Sequence, residues 1–270
     1  MISSAALLAA PPPAGVTHYV RYSAAGRVSY GRVEGDRIQP LSAAPWLNPR
    51  PAGAPIAASS AKLLYPCVPP KVLAVGRNYK SHVGSAAPPS RPEMFYKPVT
   101  CLLSPGEAIV IPSDSKNTNY EGELVAVIGK TCHNASAAEA RAAIFGYTCG
   151  NDVSERDWQG GKDKDMQWWR AKGADTFGPL GPVIATGVDP AAGLLLQTRL
   201  NGEVVQKQST SDLLFDCVAV VAFVSRYVTL TPGDVIYTGT PGSTRAMKPG
   251  DAVEVEIEKI GVLRNPVRGA

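Results

Sequence analysis

The stretch YEGELVAVI, residues 120–128, decides the fold of this chain, because an uninterrupted apolar run begins directly behind two alternating glutamates. A run of this length and composition predicts a buried strand. Side chains at positions i and i+2 of a strand project from the same face, so Glu121 and Glu123 are predicted to lie side by side. A carboxylate that enters a core without a cation or basic partner is costly. The stretch therefore predicts a buried strand that begins at a charged site.

A third carboxylate, Asp152, follows about thirty residues later within the segment NDVSERD, residues 151–157. Oxygen ligands of this kind suit Mg²⁺, which keeps several waters that a chelating substrate can replace. We predict that Glu121, Glu123 and Asp152 hold one hard divalent cation, Mg²⁺ in the first place, with Mn²⁺ or Ca²⁺ as alternatives. The competing interpretation is an edge strand whose alternating glutamates form a solvated face.

The cysteines do not suggest a soft-metal site. Their number is odd, no Cys-x-x-Cys spacing occurs, and we expect them to be reduced and mostly buried. Zinc is disfavoured because no paired Cys or His stands at ligand spacing. The five cysteines are Cys67, Cys101, Cys132, Cys149 and Cys217.

Length and composition agree with a soluble enzyme, and the charge pattern does not indicate a nucleic-acid-binding protein. The 270 residues support one large domain, or a large domain with a small appendage. The formal net charge of +4 is spread along the chain without a block of Lys or Arg, so no nucleic-acid partner is expected. The alternating charges of residues 162–165 are typical of a solvated loop.

The N-terminal residues Met1–Ala10 are apolar, lack a basic segment and are too few to span a bilayer. They are predicted to be a frayed tail, and Pro11-Pro12-Pro13 would stop any helix there. No later segment has the run of about eighteen apolar residues that a spanning helix needs, so no membrane partner is expected. A cytoplasmic location is predicted, with a mitochondrial one as the alternative.

Turn residues and composition divide the chain into two parts. Residues 18–41 alternate short strand patterns with turns, which predicts a small antiparallel meander. The Pro/Ala/Ser-rich residues 43–61 predict a linker. We therefore predict a small N-terminal β domain with its linker, residues 1–66, and a larger domain, residues 67–270.

Strands dominate the larger domain. Helices are fewer: Ser136 and Glu139 form a capping-box pattern that predicts a helix over 136–144, and apolar residues at helical spacing predict another over 211–227. The predicted strands are Lys71–Val75, Ala108–Ile111, Glu123–Ile128, Leu194–Leu200, Asp234–Thr238 and Ala252–Ile257.

A series of short motifs runs in one order from about residue 70 to the end. They are VGRNYKSH (75–82), FYKP (95–98), YEGEL (120–124), GYT (146–148), ND (151–152), DTFGPLGP (175–182), GTP (239–241), Gly261 and RNPV (264–267). Over roughly three quarters of the chain, this series resembles the fumarylacetoacetate hydrolase superfamily, in particular its acylpyruvase and oxaloacetate decarboxylase members. The resemblance implies a β-rich α+β fold, with a mixed β-roll catalytic domain and a small N-terminal β domain. It also implies a homodimer.

The resemblance implies catalytic roles for three residues. His82 resembles the family's general base, and an imidazole is already poised near neutral pH. Lys172 matches a lysine that points at the metal-bound substrate, where a cation would stabilise an enolate. Gln159 matches a position that hydrogen-bonds substrate or water. On the residues alone, His82 is as easily a satisfied histidine at the end of a short helix, and Lys172 a surface cation.

The resemblance also implies substrate contacts for Arg77, Lys97 and Thr240. Each has an alternative explanation from its neighbours in the sequence. Arg77 and Lys97 would instead pair with local carboxylates, and Thr240, within the segment Thr238-Gly239-Thr240-Pro241, would only shape a turn.

The chain departs from the family pattern at Ser85, where many members carry a glutamate three residues after the histidine. A hydroxyl cannot supply the negative charge that raises the basicity of an imidazole. Gly84, Pro88 and Pro89 also disfavour a helical lid over this segment. The departure weighs against water activation and toward reactions that need no water.

The predicted substrate is a 2-oxo acid or a 1,3-dicarbonyl that chelates the cation. The first predicted reaction is hydrolysis of a C–C bond, as in an acylpyruvate, by water that His82 activates. The alternatives on the same site are decarboxylation of a β-keto acid such as oxaloacetate, and tautomerisation or hydration of a related enol. A hypothesis of another class is a ligand-binding paralogue that keeps the fold and has lost catalysis.

Overall fold

The computed structural model describes residues 12–270, so the tail predicted at Met1–Ala10 lies outside the described residues. The strands are β1 (Thr17–Ala24), β2 (Arg27–Glu34), β3 (Arg37–Leu41), β4 (Ile56–Ala57), β5 (Lys62–Leu64), β6 (Val72–Gly76), β7 (Glu93–Lys97), β8 (Leu102–Leu103), β9 (Ile109–Ile111), β10 (Thr118–Asn119), β11 (Gly122–Ile128), β12 (Ile144–Asn151), β13 (Ser154–Glu155), β14 (Gly178–Thr186), β15 (Leu195–Leu200), β16 (Glu203–Ser209), β17 (Val235–Tyr237), β18 (Ala252–Ile257) and β19 (Gly261–Gly269). The α-helices of the described part are α1 (Lys80–Val83), α2 (Ala137–Ala143), α3 (Arg156–Gly160), α4 (Trp169–Gly173) and α5 (Cys217–Ser225). Within residues 12–270 no helix is long and apolar enough to cross a membrane.

Most strands belong to one mixed sheet of twelve strands. Its order is β4-β3-β2-β1-β14-β12-β11-β17-β6-β7, with β5 beside β1 and β8 beside β14. A second sheet of five strands has the order β16-β15-β18-β19-β9, and β10 pairs with β13. Parallel pairs, such as β6 with β17, occur beside antiparallel ones. The predicted β-rich α+β fold with mixed sheets is confirmed.

The strand β11 lies in the interior of the large sheet, between β12 and β17. All seven of its residues are buried. Leu124 packs into one hydrophobic cluster, and Val125 and Val127 pack into another. A strand covered on both faces needs apolar residues at every position, which explains why the sequence shows a continuous run rather than an alternation.

The N-terminal strands form the predicted antiparallel meander, β1–β2–β3. They also continue the large sheet, because β1 pairs with β14. The segment 43–61, expected as a linker, contains β4, which pairs with β3, and buries Ala58 and Ala61. The domain boundary between residues 66 and 67 stays a prediction.

Two helices test the sequence patterns. In α2, Ser136 and Glu139 form the predicted capping box, each side chain accepting from the backbone N–H of the other. The helix predicted over 211–227 is shorter, since α5 begins only at Cys217. Asn78 bonds to the backbone just before this helix, and Asp216 caps its first turn, so the preceding residues are held outside the helix.

Candidate metal centre

The chain brings Glu121, Glu123 and Asp152 together by strand pairing. The strands β11 and β12 are antiparallel, with Gly122 opposite Asn151, so the residue after β12 lies beside the residue before β11. The backbone N–H of Asp152 donates to the carbonyl of Glu121 at 2.9 Å. One oxygen from each carboxylate lies within 4.8 Å of the others, and all three side chains are buried.

Two buried lysines compensate the carboxylates. Lys172 Nζ donates to Glu121 Oε2 at 2.6 Å and to Asp152 Oδ2 at 2.7 Å. Lys97 Nζ donates to Asp152 Oδ1 at 2.6 Å and also to the carbonyl of Lys172. Lys97 therefore pairs with a carboxylate, as in the alternative to its substrate contact, but this carboxylate is 55 positions away in the chain. Lys172 is held inside the cluster and is not a surface cation.

Sequence reasoning missed a third cation, Arg156, the first residue of α3. Its Nη2 donates to Glu121 Oε1 at 2.5 Å and to Thr244 Oγ1 at 2.8 Å. Its Nη1 donates to Gln159 Oε1 at 2.6 Å, which places the predicted residue Gln159 beside the cluster through Arg156. A signal was present in the sequence, because buried carboxylates need basic partners and Arg156 follows Asp152 by four positions.

These charges shift the pKa values of the two glutamates in opposite directions. Burial favours the neutral form of Glu121, but Lys172 and Arg156 outweigh it and hold its pKa well below the usual range. Burial and the charges of Asp152 and Glu121 raise the pKa of Glu123 well above the usual range. Burial alone would lower the pKa of Lys172, and Asp152 and Glu121 reverse this and raise it. Without a metal, Glu123 therefore holds a proton more readily than Glu121 does.

The donor set fits a hard divalent cation. Every candidate ligand atom is a carboxylate oxygen, and an oxygen that already accepts one hydrogen bond keeps a further lone pair. Glu123 Oε2 accepts from the backbone N–H of Gly239 at 2.7 Å, and burial, followed by the negative charges of Asp152 and Glu121, raises its pKa. A divalent cation would supply the missing positive charge. The arrangement suits Mg²⁺ and Mn²⁺ alike.

His82 is oriented by a backbone carbonyl. Its Nδ1 bonds to the carbonyl oxygen of Gly242. A carbonyl oxygen only accepts, so Nδ1 carries the hydrogen and Nε2 is the nitrogen that can take a proton. The turn 239–242 that holds His82 also holds the cluster, because the backbone N–H of Gly239 donates to Glu123 Oε2. Ser85, at the position of the family's glutamate, is exposed.

Thr240 and Arg77 differ in how close they come to this centre. Thr240 is buried, donates to the carbonyl of Gly122 at 2.9 Å and accepts from Gln206 at 2.9 Å. Its hydroxyl thus supports the backbone between the two glutamates. Arg77 is exposed and donates to the carbonyl of Ala87 at 3.0 Å, so its described contact is with the following loop rather than with the carboxylates.

Buried carboxylates, basic partners and an oriented histidine come together at one end of a central strand, in a cluster that could bind a divalent metal. The chain belongs to the fumarylacetoacetate hydrolase family. Residues 71–268 match the family model described as fumarylacetoacetate (FAA) hydrolase C-terminal, and residues 17–66 match the one described as Rv2993c-like, N-terminal. The resemblance stated from the motifs is thereby confirmed.

Similar proteins carry out several related reactions. A solved structure of 5-carboxymethyl-2-hydroxymuconate delta-isomerase from Mycobacterium smegmatis is 42% identical, with a TM-score of 0.88, and the match covers 94% of this chain and 100% of that one. The mitochondrial oxaloacetate tautomerase fahd2 of Xenopus laevis is 37% identical over 77% of this chain and 69% of its own. Maleylpyruvate hydrolase from Sphingobium sp. SYK-6, solved with manganese (II) and pyruvate, is 26% identical, with a TM-score of 0.75, over 94% of this chain and 99% of that one. These relatives support an enzyme of the same general catalysis.

Proposed function

We propose that this enzyme moves a proton on an enolisable 2-oxo acid, as a tautomerase or double-bond isomerase, at a divalent cation held by Glu121, Glu123 and Asp152. The observation that carries the proposal is the orientation of His82, which leaves Nε2 as the basic nitrogen and is set by the same turn that binds Glu123. A cation bound there would act as a Lewis acid that polarises the substrate carbonyl.

The proton shift needs a base and a place for the developing negative charge. His82 Nε2 would take the proton from the carbon next to the carbonyl. The electron pair of that C–H bond would form the new C=C bond, and the π pair of the C=O bond would move onto the oxygen as an enolate. The same imidazolium would return the proton to the enolate oxygen, or to a more distant carbon of a conjugated substrate. Atoms and charge balance without a co-reactant.

Lys172 contributes a fixed positive charge to this step. It is buried, and its Nζ is held by Glu121 and Asp152 on the side of the proposed ligands. A cation fixed in a dry site needs no reorganisation when an enolate forms beside it. Burial would lower the pKa of Lys172, and the carboxylates of Asp152 and Glu121 raise it, which favours the charged ammonium in the metal-free protein.

Two observations favour proton transfer over hydrolysis. The ring of His82 is oriented by the carbonyl of Gly242, and Ser85 replaces the glutamate that would increase its basicity. The isomerase and the tautomerase among the relatives are also more similar to this chain than the hydrolase is. C–C hydrolysis of an acylpyruvate is the second candidate, and the maleylpyruvate hydrolase with its bound pyruvate supports it.

The test is a comparison of three reactions on one protein preparation. Purified protein with Mn²⁺ or Mg²⁺ is given oxaloacetate, whose enol form is followed by its ultraviolet absorbance, and pyruvate release is measured in parallel. A set of acylpyruvates tests hydrolysis. Accelerated interconversion of the enol and keto forms without pyruvate release is the expected result.

The controls separate this centre from adventitious metal catalysis. Chelation of the cation and Asp152→Asn should each remove the acceleration. Asp157→Asn, which removes an exposed carboxylate from the same segment, should retain it. Acylpyruvate hydrolysis without enol interconversion would overturn the tautomerase proposal in favour of the second candidate, and inactivity in all three reactions would favour a ligand-binding paralogue.

A further inference from the structure

The amide of Gln206 crosses from the second sheet into the candidate metal centre. Gln206 lies on β16 and is 4% exposed. Its Oε1 accepts from the backbone N–H of Gly122 at 3.1 Å. Its Nε2 donates to Thr240 Oγ1 at 2.9 Å and to the carbonyl of Pro241 at 2.6 Å. One side chain thus satisfies groups on β11 and on the turn 239–242.

Side chains hold both backbone groups of Gly122. Gln206 accepts from its N–H, and Thr240 donates to its carbonyl at 2.9 Å. Glu121 and Glu123 flank Gly122. The orientation of these two peptide planes therefore fixes the backbone positions from which both glutamate side chains extend. The contact also requires glycine, because a Cβ at this position would lie 2.0 Å from Thr198 Oγ1 and 3.3 Å from Gln206 Oε1.

The turn 239–242 carries two further contacts of the centre. The N–H of Gly239 donates to Glu123 Oε2 at 2.7 Å, and the carbonyl of Gly242 accepts from His82 Nδ1. Both glycines have positive φ angles, +105° and +60°, in a region where glycine is the least constrained residue. The bond from Gln206 to the carbonyl of Pro241 lies between these two contacts and ties the turn to the second sheet.

We propose that Gln206 is a positioning residue that holds the two glutamates and the turn 239–242 in one fixed arrangement. It thereby sets both the affinity for the divalent cation and the orientation of His82. The inference rests on the proposed function, because Gln206 connects the proposed cation site to the proposed base. Gln206 itself donates nothing to the substrate, because both ends of its amide are engaged by the protein.

The first test is a calorimetric Mn²⁺ titration of the full chain without substrate. Gln206→Met keeps the approximate volume and removes all three hydrogen bonds. Partners behind metal ligands change metal affinity by about 10- to 100-fold, and a weakening in that range is expected. The matched control is Gln39→Met. Gln39 is 8% exposed and donates to two backbone carbonyls, at Pro40 and Gly53, far from the site in sequence.

The second test observes His82 directly and needs no metal. The chain has three histidines, so long-range ¹H–¹⁵N spectra can resolve each ring. In the wild type, neutral His82 should carry its hydrogen on Nδ1. In Gln206→Met we expect a mixture of tautomers at His82, with His18 and His133 unchanged. A role confined to folding would lower thermal stability and leave this signature unmoved.

The outcomes are separable. Wild-type Mn²⁺ affinity in Gln206→Met, an unchanged His82 tautomer, or an equal loss of affinity in Gln39→Met would each overturn the role of Gln206. A wild-type protein that binds no Mn²⁺ would overturn the proposed cation site, and the His82 comparison would still test Gln206. If Gln206→Met does not fold, Thr240→Val removes the hydroxyl that joins Gln206 to Gly122, and the same two measurements apply with the same criteria.

Discussion

Lys97 and Lys172 donate to opposite oxygens of one carboxylate, that of Asp152, at 2.6 Å and 2.7 Å. Both ammonium groups are almost fully buried, and they approach from different elements, β7 and α4. Asp152 is therefore the shared carboxylate of two buried cations, and Lys172 has a second carboxylate partner in Glu121. The role of Asp152 in stability differs from that of Glu123, whose described side-chain hydrogen bond comes from a neutral backbone group.

This difference predicts that two variants, both of which weaken cation binding, differ in their effect on stability. Asp152→Ala leaves two buried lysines without their shared partner, and breaking such a pairing costs about 3–5 kcal/mol. Glu123→Gln replaces a carboxyl that already favours its neutral form, so the unfolding free energy should stay close to that of the wild type. Denaturant unfolding and Mn²⁺ titration of both variants test this. Equal destabilisation by the two substitutions would contradict the charge assignment.

The raised pKa of Glu123 predicts that cation binding releases protons. Burial and the neighbouring carboxylates favour the protonated form in the metal-free protein, and the cation needs the ionised form. Affinity should therefore rise with pH up to the raised pKa of Glu123 and fall as pH decreases below it. In the metal-free protein, the same group stabilises the fold at low pH and loses that contribution as pH rises toward its folded-state pKa. Calorimetric titration in buffers of different ionisation enthalpy counts the protons, and Glu123→Gln should release fewer.

Lys172→Met should lower the turnover number more than it raises the Michaelis constant. The charge of Lys172 meets negative charge that develops in the reaction rather than the resting carbonyl, and loss of one such group costs about 10²- to 10³-fold in turnover. Steady-state kinetics with the cation at saturation measure this. An unchanged turnover number would remove Lys172 from the mechanism.

The position of Ser85 predicts a shift between reactions. A carboxylate there would raise the basicity of His82, so Ser85→Glu should increase acylpyruvate hydrolysis relative to decarboxylation. His82→Ala should suppress hydrolysis and tautomerisation, while decarboxylation, which needs only an electron sink, should persist. The reactions are compared at matched pH and cation concentration. Equal loss of every activity in His82→Ala would mean that His82 serves substrate binding.

Strand periodicity was sufficient to predict part of the centre. Glu121 and Glu123 are neighbours in sequence, so a single strand was enough to bring their carboxylates together. The position of Asp152 in the cluster depends on the antiparallel register of β11 and β12. A motif resemblance could indicate that position, but strand spacing could not. The strand bounds agreed within one or two residues, for example Val72–Gly76 against the predicted Lys71–Val75. The cysteines are free and mostly buried, as expected.

The remaining contacts could not be predicted because they join distant segments. Lys97 comes to Asp152 across 55 positions, and Gln206 reaches Gly122 across 84. Neither residue type is unusual in its local sequence, and β16 belongs to a different sheet from β11. Arg156 is close to Asp152 in the chain, but its ion pair is with Glu121, 35 positions away, and the local sequence does not indicate that pairing.

The pairing of β1 with residues 184–186 of β14 gives the N-terminal strands a protective role. In their absence, the end of an apolar central strand would present unpaired backbone N–H and C=O groups to solvent. Such an exposed edge is a template for pairing with another chain, and hence for aggregation. Loss of the meander should therefore reduce solubility before it changes the chemistry. The carboxylate cluster itself is formed entirely by residues beyond position 120.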